Sequence, residues 1–465
     1  MSTPAAAQAV RTLAYVTNVI PGTVSVIDTA TNTRIGTIPV GDEPVGVAVS
    51  PNGTRVYVTN SGSNNVSVID TATNTRIGTI PVGDEPVGVA VSPDNSRVYV
   101  TNSGSNNVSV INTATNTVIA ALTVGNSPQN VAVDPDGTRV YVTNTGSNNV
   151  SVINTTTNPP TVLNPIPVGN SPWDVAAVAS PLGTTVLYVT NSGSGTVSVI
   201  DTTLGPVATL PVGPQPRGVA VATTPFGFRA YVTNFGSNNV SVIQTTAGNP
   251  PALIATLPVG AQQQGVAVTP DNTHVYVTHT SSGTLSVIDN TTTPPAVVDG
   301  PIPGGGTPVD VAIGLIPPPL QQPPPATPTK LKLKAEKREK GKGDEPRVMG
   351  NDGVILKAKL TANGRPLKDK DITFTADSTA LCTKTTDSRG KATCTVPGMH
   401  DKTTCYTARF AGNDTYQPSI AAACVKDDHG KPHPSAGSVD HRGIHDRMHD
   451  AITSANVLSP MAAGR

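Results

Sequence analysis

The tetrapeptide Tyr-Val-Thr-Asn starts at residues 15, 57, 99, 141, 188 and 231, and a seventh copy at 276 reads Tyr-Val-Thr-His. Successive starts lie 42, 42, 42, 47, 43 and 45 residues apart. A period of this size marks a chain built from copies of one small unit, none of which can bury its apolar face alone. The unit at 45–86 divides into four short β-branched runs, beginning at Val45, Thr54, Val66 and Thr75. Gly, Asn, Asp and Pro separate them, the punctuation of strands joined by tight turns. No stretch of residues 1–316 keeps a helical period. Four strands in roughly 42 residues fit one blade of a β-propeller. The run Val47-Ala48-Val49 is apolar at consecutive positions, so this innermost strand is expected to be covered on both faces.

The ends of the array set the blade number. The chain begins its first unit at the second strand, Leu13 to Asn18, and after the seventh unit supplies a lone first strand at 307–313. Seven first strands and seven second strands balance only if this last strand joins the first three and closes a ring. Closure also removes the open sheet edges that invite aggregation. The expected fold is therefore all-β, a seven-bladed propeller over 10–316.

These units resemble the Tyr-Val-Thr-Asn β-propeller repeats of prokaryotic surface-layer-type proteins. The resemblance implies the ring fold and an address outside the cytoplasm. It says less about activity, because related seven-bladed rings include cell-surface proteins, lactonases and lyases.

Residues 1–329 hold no lysine, and eight arginines against fifteen acidic residues give that part a balance of −7. The remainder, with 23 basic and 16 acidic residues, carries +7, so the net charge of zero hides a division. No apolar run approaches the about 20 residues needed to span a bilayer. The N-terminus lacks the basic and apolar regions of a secretion signal. Membrane insertion is not expected. Nor is nucleic-acid binding, since the lysines at 330–342 are interleaved with Glu336 and Glu339 and lack aromatics.

Residues 317–329 read as a proline-rich linker. Beyond it, 330–426 alternates as β-strands do, at Lys330-Leu-Lys-Leu-Lys and Ile372-Thr-Phe-Thr, with the turn dipeptide Asn363-Gly364. Its order of motifs, from Gly364-Arg-Pro-Leu to Phe410-Ala-Gly-Asn-Asp-Thr-Tyr-Gln-Pro-Ser, is similar to the bacterial immunoglobulin-like repeats of surface proteins. All four cysteines lie here. Cys382 and Cys394 flank the turn around Ser388 symmetrically, and Cys405 and Cys424 flank Asn413 to Tyr416. Two cross-hairpin disulfides, Cys382–Cys394 and Cys405–Cys424, are expected, and with them an oxidising compartment.

Within the ring, repeats differ most at the start of the innermost strand. One position reads Val45, Val87, Gln129, Trp173, Arg217, Gln264 and Val309, and the next Gly46, Gly88, Asn130, Asp174, Gly218, Gly265 and Asp310. In a propeller these positions meet at one mouth of the central channel. Asn130, Trp173, Asp174, Arg217, Gln264 and Asp310 are therefore expected to form a polar, ligand-binding rim. Only His274 and His279 fall in the ring, and neither has a second histidine at ligand spacing. No nucleophile-elbow, phosphate-loop or Cys-x-x-Cys motif is present. The reading from sequence is a secreted or cell-surface, non-catalytic protein that binds an envelope component, a glycan or a protein at this rim, without a cofactor. The alternative is a lactonase-like hydrolase or lyase using the same rim.

Asn65, Asn107, Asn149 and Asn239 match a glycosylation sequon, but each sits in a hairpin turn whose geometry asparagine also serves. The polar tail 427–465 carries His441, His445 and His449 at every fourth position, with Asp440, Asp446 and Asp450 nearby. On a helix these imidazoles would share one face and could hold zinc, nickel or copper weakly.

Overall fold

The structure, a computed structural model, describes residues 9–180, 183–225, 227–246, 249–318, 326–337, 353–397 and 404–425. The tail with His441, His445 and His449 lies outside these residues. The chain divides into two compact units, 1–320 and 321–465.

The first unit is a ring of seven antiparallel sheets, each running in chain order from its innermost strand outward. Blade 1 is the exception that closes the ring. Its innermost strand, Pro308–Ile316, pairs with Arg11–Asn18, which continues to Thr23–Asp28 and Thr33–Pro39. Blade 2 holds Pro44–Val49, Arg55–Asn60, Asn65–Asp70 and Thr75–Pro81, and the pattern recurs through blade 7, Gln263–Pro303. The longest interval, from Tyr141 to Tyr188, is taken up partly in the hairpin joining Pro172–Ala179 to Thr185–Asn191 of blade 5 and partly in blade 4. There the outer strand is broken into Thr161–Val162 and Ile166–Pro167, both paired with Asn149–Asn154.

Side-chain packing lies between blades, not within them. Val24 and Val26 of blade 1 meet Val47, Val56 and Val58 of blade 2, and an equivalent apolar cluster fills each successive interface. The second and third strands of a blade are the enclosed ones. In blade 2, Val56 to Asn60 are all buried, whereas Ala48 and Val49 of the innermost strand are half-buried. The innermost strand is thus less covered than its apolar run suggests, because it flanks the channel.

Every member of the repeated tetrapeptide has a physical task. The tyrosines are buried rings, and Tyr15 Oη reaches out to donate to Asn74 Oδ1 of the next blade at 2.9 Å. The threonine hydroxyl links neighbours. Thr59 Oγ1 accepts from Gly46 N in its own blade at 2.8 Å and donates to Val87 O of the next at 2.6 Å. Thr101, Thr143, Thr190, Thr233 and Thr278 repeat this donation, and Thr17 to Val45 O completes the circuit. The asparagine amide ties the second strand to the third, as Asn60 Nδ2 donates to Ser67 Oγ at 3.0 Å. It also donates to Asn65 Oδ1, so the sequon asparagine has a structural partner. A valine in place of threonine would leave a buried N–H and a buried carbonyl unpaired at each junction, which is expensive.

The second unit packs two sheets over one core. One contains Thr329–Lys337, Gly353–Ala362, Arg365–Pro366 and Lys391–Pro397; the other orders Thr379–Thr385, Asp371–Ala376, Thr404–Phe410 and Ser419–Val425. Leu356, Leu360, Phe374 and Tyr406 are fully enclosed between them. Both expected disulfides are present. Cys405 and Cys424 are directly opposed across paired strands. Cys382–Cys394 forms for a different reason from the hairpin symmetry, because the two residues lie in different sheets, Cys382 opposite Phe374 and Cys394 opposite Leu356. That bond staples sheet to sheet. Among the described residues no helix is long and apolar enough to cross a membrane.

Candidate functional site

The starts of the innermost strands surround a cavity of about 70 Å³ lined by Asn130, Trp173, Asp174, Gln264 and Asp310, with glycine and valine from the other blades. Arg217 joins this group from above the Trp173 ring, its Cζ 4.6 Å from the ring centroid, and Nη1 donates to Gln264 Oε1 at 2.7 Å. All six residues read from the sequence thus come together. Phe235 escaped that reading. It lies 3.8 Å from the Arg217 Cζ and sandwiches the guanidinium against Trp173. The signal was available, since Phe235 replaces the Ser or Thr that follows the tetrapeptide in blades 2, 3, 4, 5 and 7.

Local geometry explains which residues the channel accepts. A Cβ on Gly46 would lie 2.3 Å from Val87 O, and one on Gly218 2.4 Å from Gln264 O. Neighbouring backbones approach too closely there for a side chain. Where a side chain does enter, it caps inward-facing amides. Asp174 Oδ1 accepts from Val175 N at 2.8 Å and from Asn130 Nδ2 at 2.5 Å, while Oδ2 accepts from Val219 N of the next blade at 2.8 Å. Asp310 Oδ1 likewise accepts from Val311 N at 2.8 Å, and Oδ2 from Val47 N at 3.1 Å. Asn130 Oδ1 accepts from Val131 N at 2.9 Å, so an asparagine satisfies the same position.

Desolvation raises the pKa of both carboxyls. Asp174 is pushed up to about 7, burial outweighing the Val219 amide, with the Asp310 charge a further upward push. Asp310 is pushed up to about 6 by burial, against the Val47 and Val311 amides. Asp174 has three donors on its two oxygens, whereas Asp310 has two. Asp310 therefore keeps one more acceptor site for a water in the cavity. Burial also lowers the Arg217 value, and its enclosed Nε–H has no protein acceptor. The set can hold water beside a carboxylate, deliver a proton from a carboxylic acid, and present a cation at the Trp173 ring.

A stability prediction follows from Asp174. Its folded value lies above the ordinary one of 3.8, so the folded chain binds the extra proton, and its contribution is full below pH 4 and lost as pH rises through about 7. His279, held down to about 4 by burial, opposes this trend over its own window, because it favours the fold increasingly between pH 4 and 6.5. The comparison must therefore be differential. In urea titrations, Asp174→Asn should gain on the wild type by a few kcal/mol between pH 4 and 8, one pKa unit being worth about 1.4 kcal/mol. A gap that does not change with pH would show that Asp174 is ionised throughout.

The profile of a family described as "Lactonase, 7-bladed beta-propeller" matches residues 81–175. No curated protein matches the chain in sequence. Among solved structures, a putative 6-phosphogluconolactonase from Bacteroides uniformis is 16% identical with a TM-score of 0.54, covering 66% of this chain and 100% of its own. A periplasmic gluconolactonase from Pseudomonas aeruginosa is 18% identical with a TM-score of 0.54, covering 66% and 99%. Hydrazine synthase from Kuenenia stuttgartiensis is 25% identical with a TM-score of 0.51, covering 59% and 92%. The structural likenesses carry the propeller fold. The family match, with neighbours named as lactonases, overturns the expectation of a non-catalytic binding or structural protein in favour of the lactonase-like alternative. The sequence reading went astray by looking for histidines and metal-ligand spacing as the marks of catalysis. The groups able to move protons here are two carboxyls whose acidity depends on burial, which spacing does not reveal.

Proposed function

We propose that the propeller is a lactone hydrolase working at the axial mouth. The observation that carries this reading is the pair of carboxyls, Asp174 and Asp310, facing one cavity with values raised to about 7 and about 6. The matched segment 81–175 contains Asn130, Trp173 and Asp174, which supports placing the chemistry at this mouth. In the proposed step Asp310, as carboxylate, takes a proton from a water that attacks the lactone carbonyl carbon. Asp174, as carboxylic acid, gives a proton to the ring oxygen as the acyl C–O bond breaks. Water is added across one bond and the product is a hydroxy acid. Arg217 holds the carbonyl oxygen or an anionic substituent of the substrate. The small cavity admits the reacting end alone, so the rest of the substrate would lie against Trp173 at the mouth. The neighbours' names suggest sugar lactones, plain or phosphorylated, as the substrate class.

The chain's setting is part of the same reading. Two disulfides fit an oxidising compartment. The surface-layer and immunoglobulin-like resemblances suggest that the unit beyond the 317–329 linker holds the enzyme at the cell surface through an envelope component. The tail histidines would add at most a weak divalent-metal site.

The reading is tested by following acid release from glucono-1,5-lactone and its 6-phosphate in a pH-stat. Turnover well above the spontaneous rate is expected, with Arg217→Ala raising KM at least tenfold for the phosphorylated substrate. Hydrolysis of a broad lactone panel at the buffer rate would remove the proposal.

A further inference from the structure

Blade 7 departs from its six sisters at one place. His279 stands where the others have the tetrapeptide asparagine, and Gln263 stands where they have Pro44, Pro86, Pro128, Pro172, Pro216 and Pro308. The two substitutions are not independent in space, since Gln263 and His279 are directly opposed in register. His279 keeps the sister contact, its Nε2 lying 2.9 Å from Ser286 Oγ. An asparagine can only donate in that contact, whereas a neutral imidazole can also accept.

The surroundings of Ser286 differ as well. Its counterparts Ser25, Ser67, Ser109, Ser151, Ser198 and Ser241 are buried, and Ser286 is half-exposed. The cause is a second register shift on the outer strand of blade 7. Leu285 opposes Ile302 and Val287 opposes Asp299, so Ser286 has a partner on the second strand, Val277, but none on the outer strand, whereas Ser67 opposes Thr79 there. Gly300 stands over it, and even a Cβ there would come only within 3.4 Å of Ser286 Oγ. A cleft of about 640 Å³ opens at this point, with His279, Ser286, Val297, Val298 and Pro301 in its wall.

A proton on His279 Nδ1 leaves the Nε2 lone pair for the serine hydroxyl. Burial holds the imidazole value down to about 4, so the ring is neutral at pH 7 and free to accept.

We propose that Ser286 and His279 form a second, nucleophilic site in the outer cleft of blade 7, which takes small apolar acyl esters. Ser286 Oγ bonds to the carbonyl carbon as its proton passes to His279 Nε2. The alkoxide leaves with that proton, and the serine remains acylated. Val297 and Val298 offer the apolar wall for the acyl chain. This site is independent of the axial carboxyls.

The test is covalent labelling of the full chain with an alkyl fluorophosphonate, in which serine displaces fluoride, and with p-nitrophenyl butyrate, followed by peptide mass spectrometry. Labelling is expected at Ser286 and lost in Ser286→Ala. His279→Asn is the discriminating variant, because asparagine is what six other blades carry at this position and the fold tolerates it there. It should slow labelling at least a hundredfold, while Asp310→Asn leaves labelling unchanged. The labelling rate should be flat above pH 5 and fall below it. Ser286 labelled no faster than the buried Ser241, or His279→Asn labelled at the wild-type rate, overturns the proposal and reduces His279 to a stand-in for asparagine.

Discussion

Asp310→Asn lowers kcat for lactone hydrolysis by 10² to 10⁴, about the contribution of a positioned general base, and leaves KM within a few-fold. The substitution suits the test because the site already tolerates it in another blade. Asn130 occupies the equivalent position and caps the following amide with its Oδ1 as Asp310 does. The variant therefore keeps one acceptor for Val311 N and loses the proton-accepting oxygen. The pH profile gives a second readout. With Asp310 ionising near 6 and Asp174 near 7, kcat/KM should trace a narrow bell between these values. The two limbs belong to the pair, since the charge on one carboxyl raises the other. Loss of the acidic limb in Asp310→Asn, with the basic limb retained, is the expected signature. A variant that keeps full kcat with an unaltered profile assigns both carboxyls to strand capping alone, and the lactonase reading would then need another base.

The ring was legible in the sequence because the same physical constraint is written seven times. A threonine that must accept from its own blade and donate to the next cannot be exchanged for valine without leaving two buried groups unpaired, so it recurs at 17, 59, 101, 143, 190, 233 and 278. The rim was legible through the opposite logic, as the place where copies disagree. Chemistry at the rim was not, because the proton affinity of Asp174 and Asp310 comes from being sunk among backbones of neighbouring blades, which no local motif records. The outer cleft of blade 7 was hidden for a similar reason. His279 is visible as a broken repeat, but the bulge that uncovers Ser286 depends on how Asp299, Gly300 and Pro301 pair across a strand. The Cys382–Cys394 bond shows a right pairing reached through a wrong geometry. Equal spacing about a turn fitted a hairpin equally well, and only the strand partners show that it crosses between sheets.

The strand that closes the ring should matter more to stability than any single side chain. Residues Pro308–Ile316 come from the far end of the propeller sequence and pair with Arg11–Asn18, from Arg11 opposite Ile316 to Asn18 opposite Pro308. Val311 lies in the apolar cluster between blades 7 and 1, with Ala14, Val16, Tyr276 and Leu285. Ile316 packs into the cluster between blades 1 and 2. Burying each such side chain contributes about 1.5–3 kcal/mol. Deleting 307–316 removes both, and it also strips the ladder from Arg11–Asn18 and leaves Thr17 Oγ1 and Val47 N without Asp310. The expected loss exceeds about 5 kcal/mol, comparable with the whole stability of an ordinary domain. The stranded edge of blade 1 would then be free to pair with another copy. Thermal melting and sedimentation of the deletion variant check both effects: a much lower Tm and a shift to oligomers or aggregates are expected. A monodisperse monomer melting at the wild-type temperature would mean that blade 1 stands without its innermost strand, and that the ring does not depend on this closure.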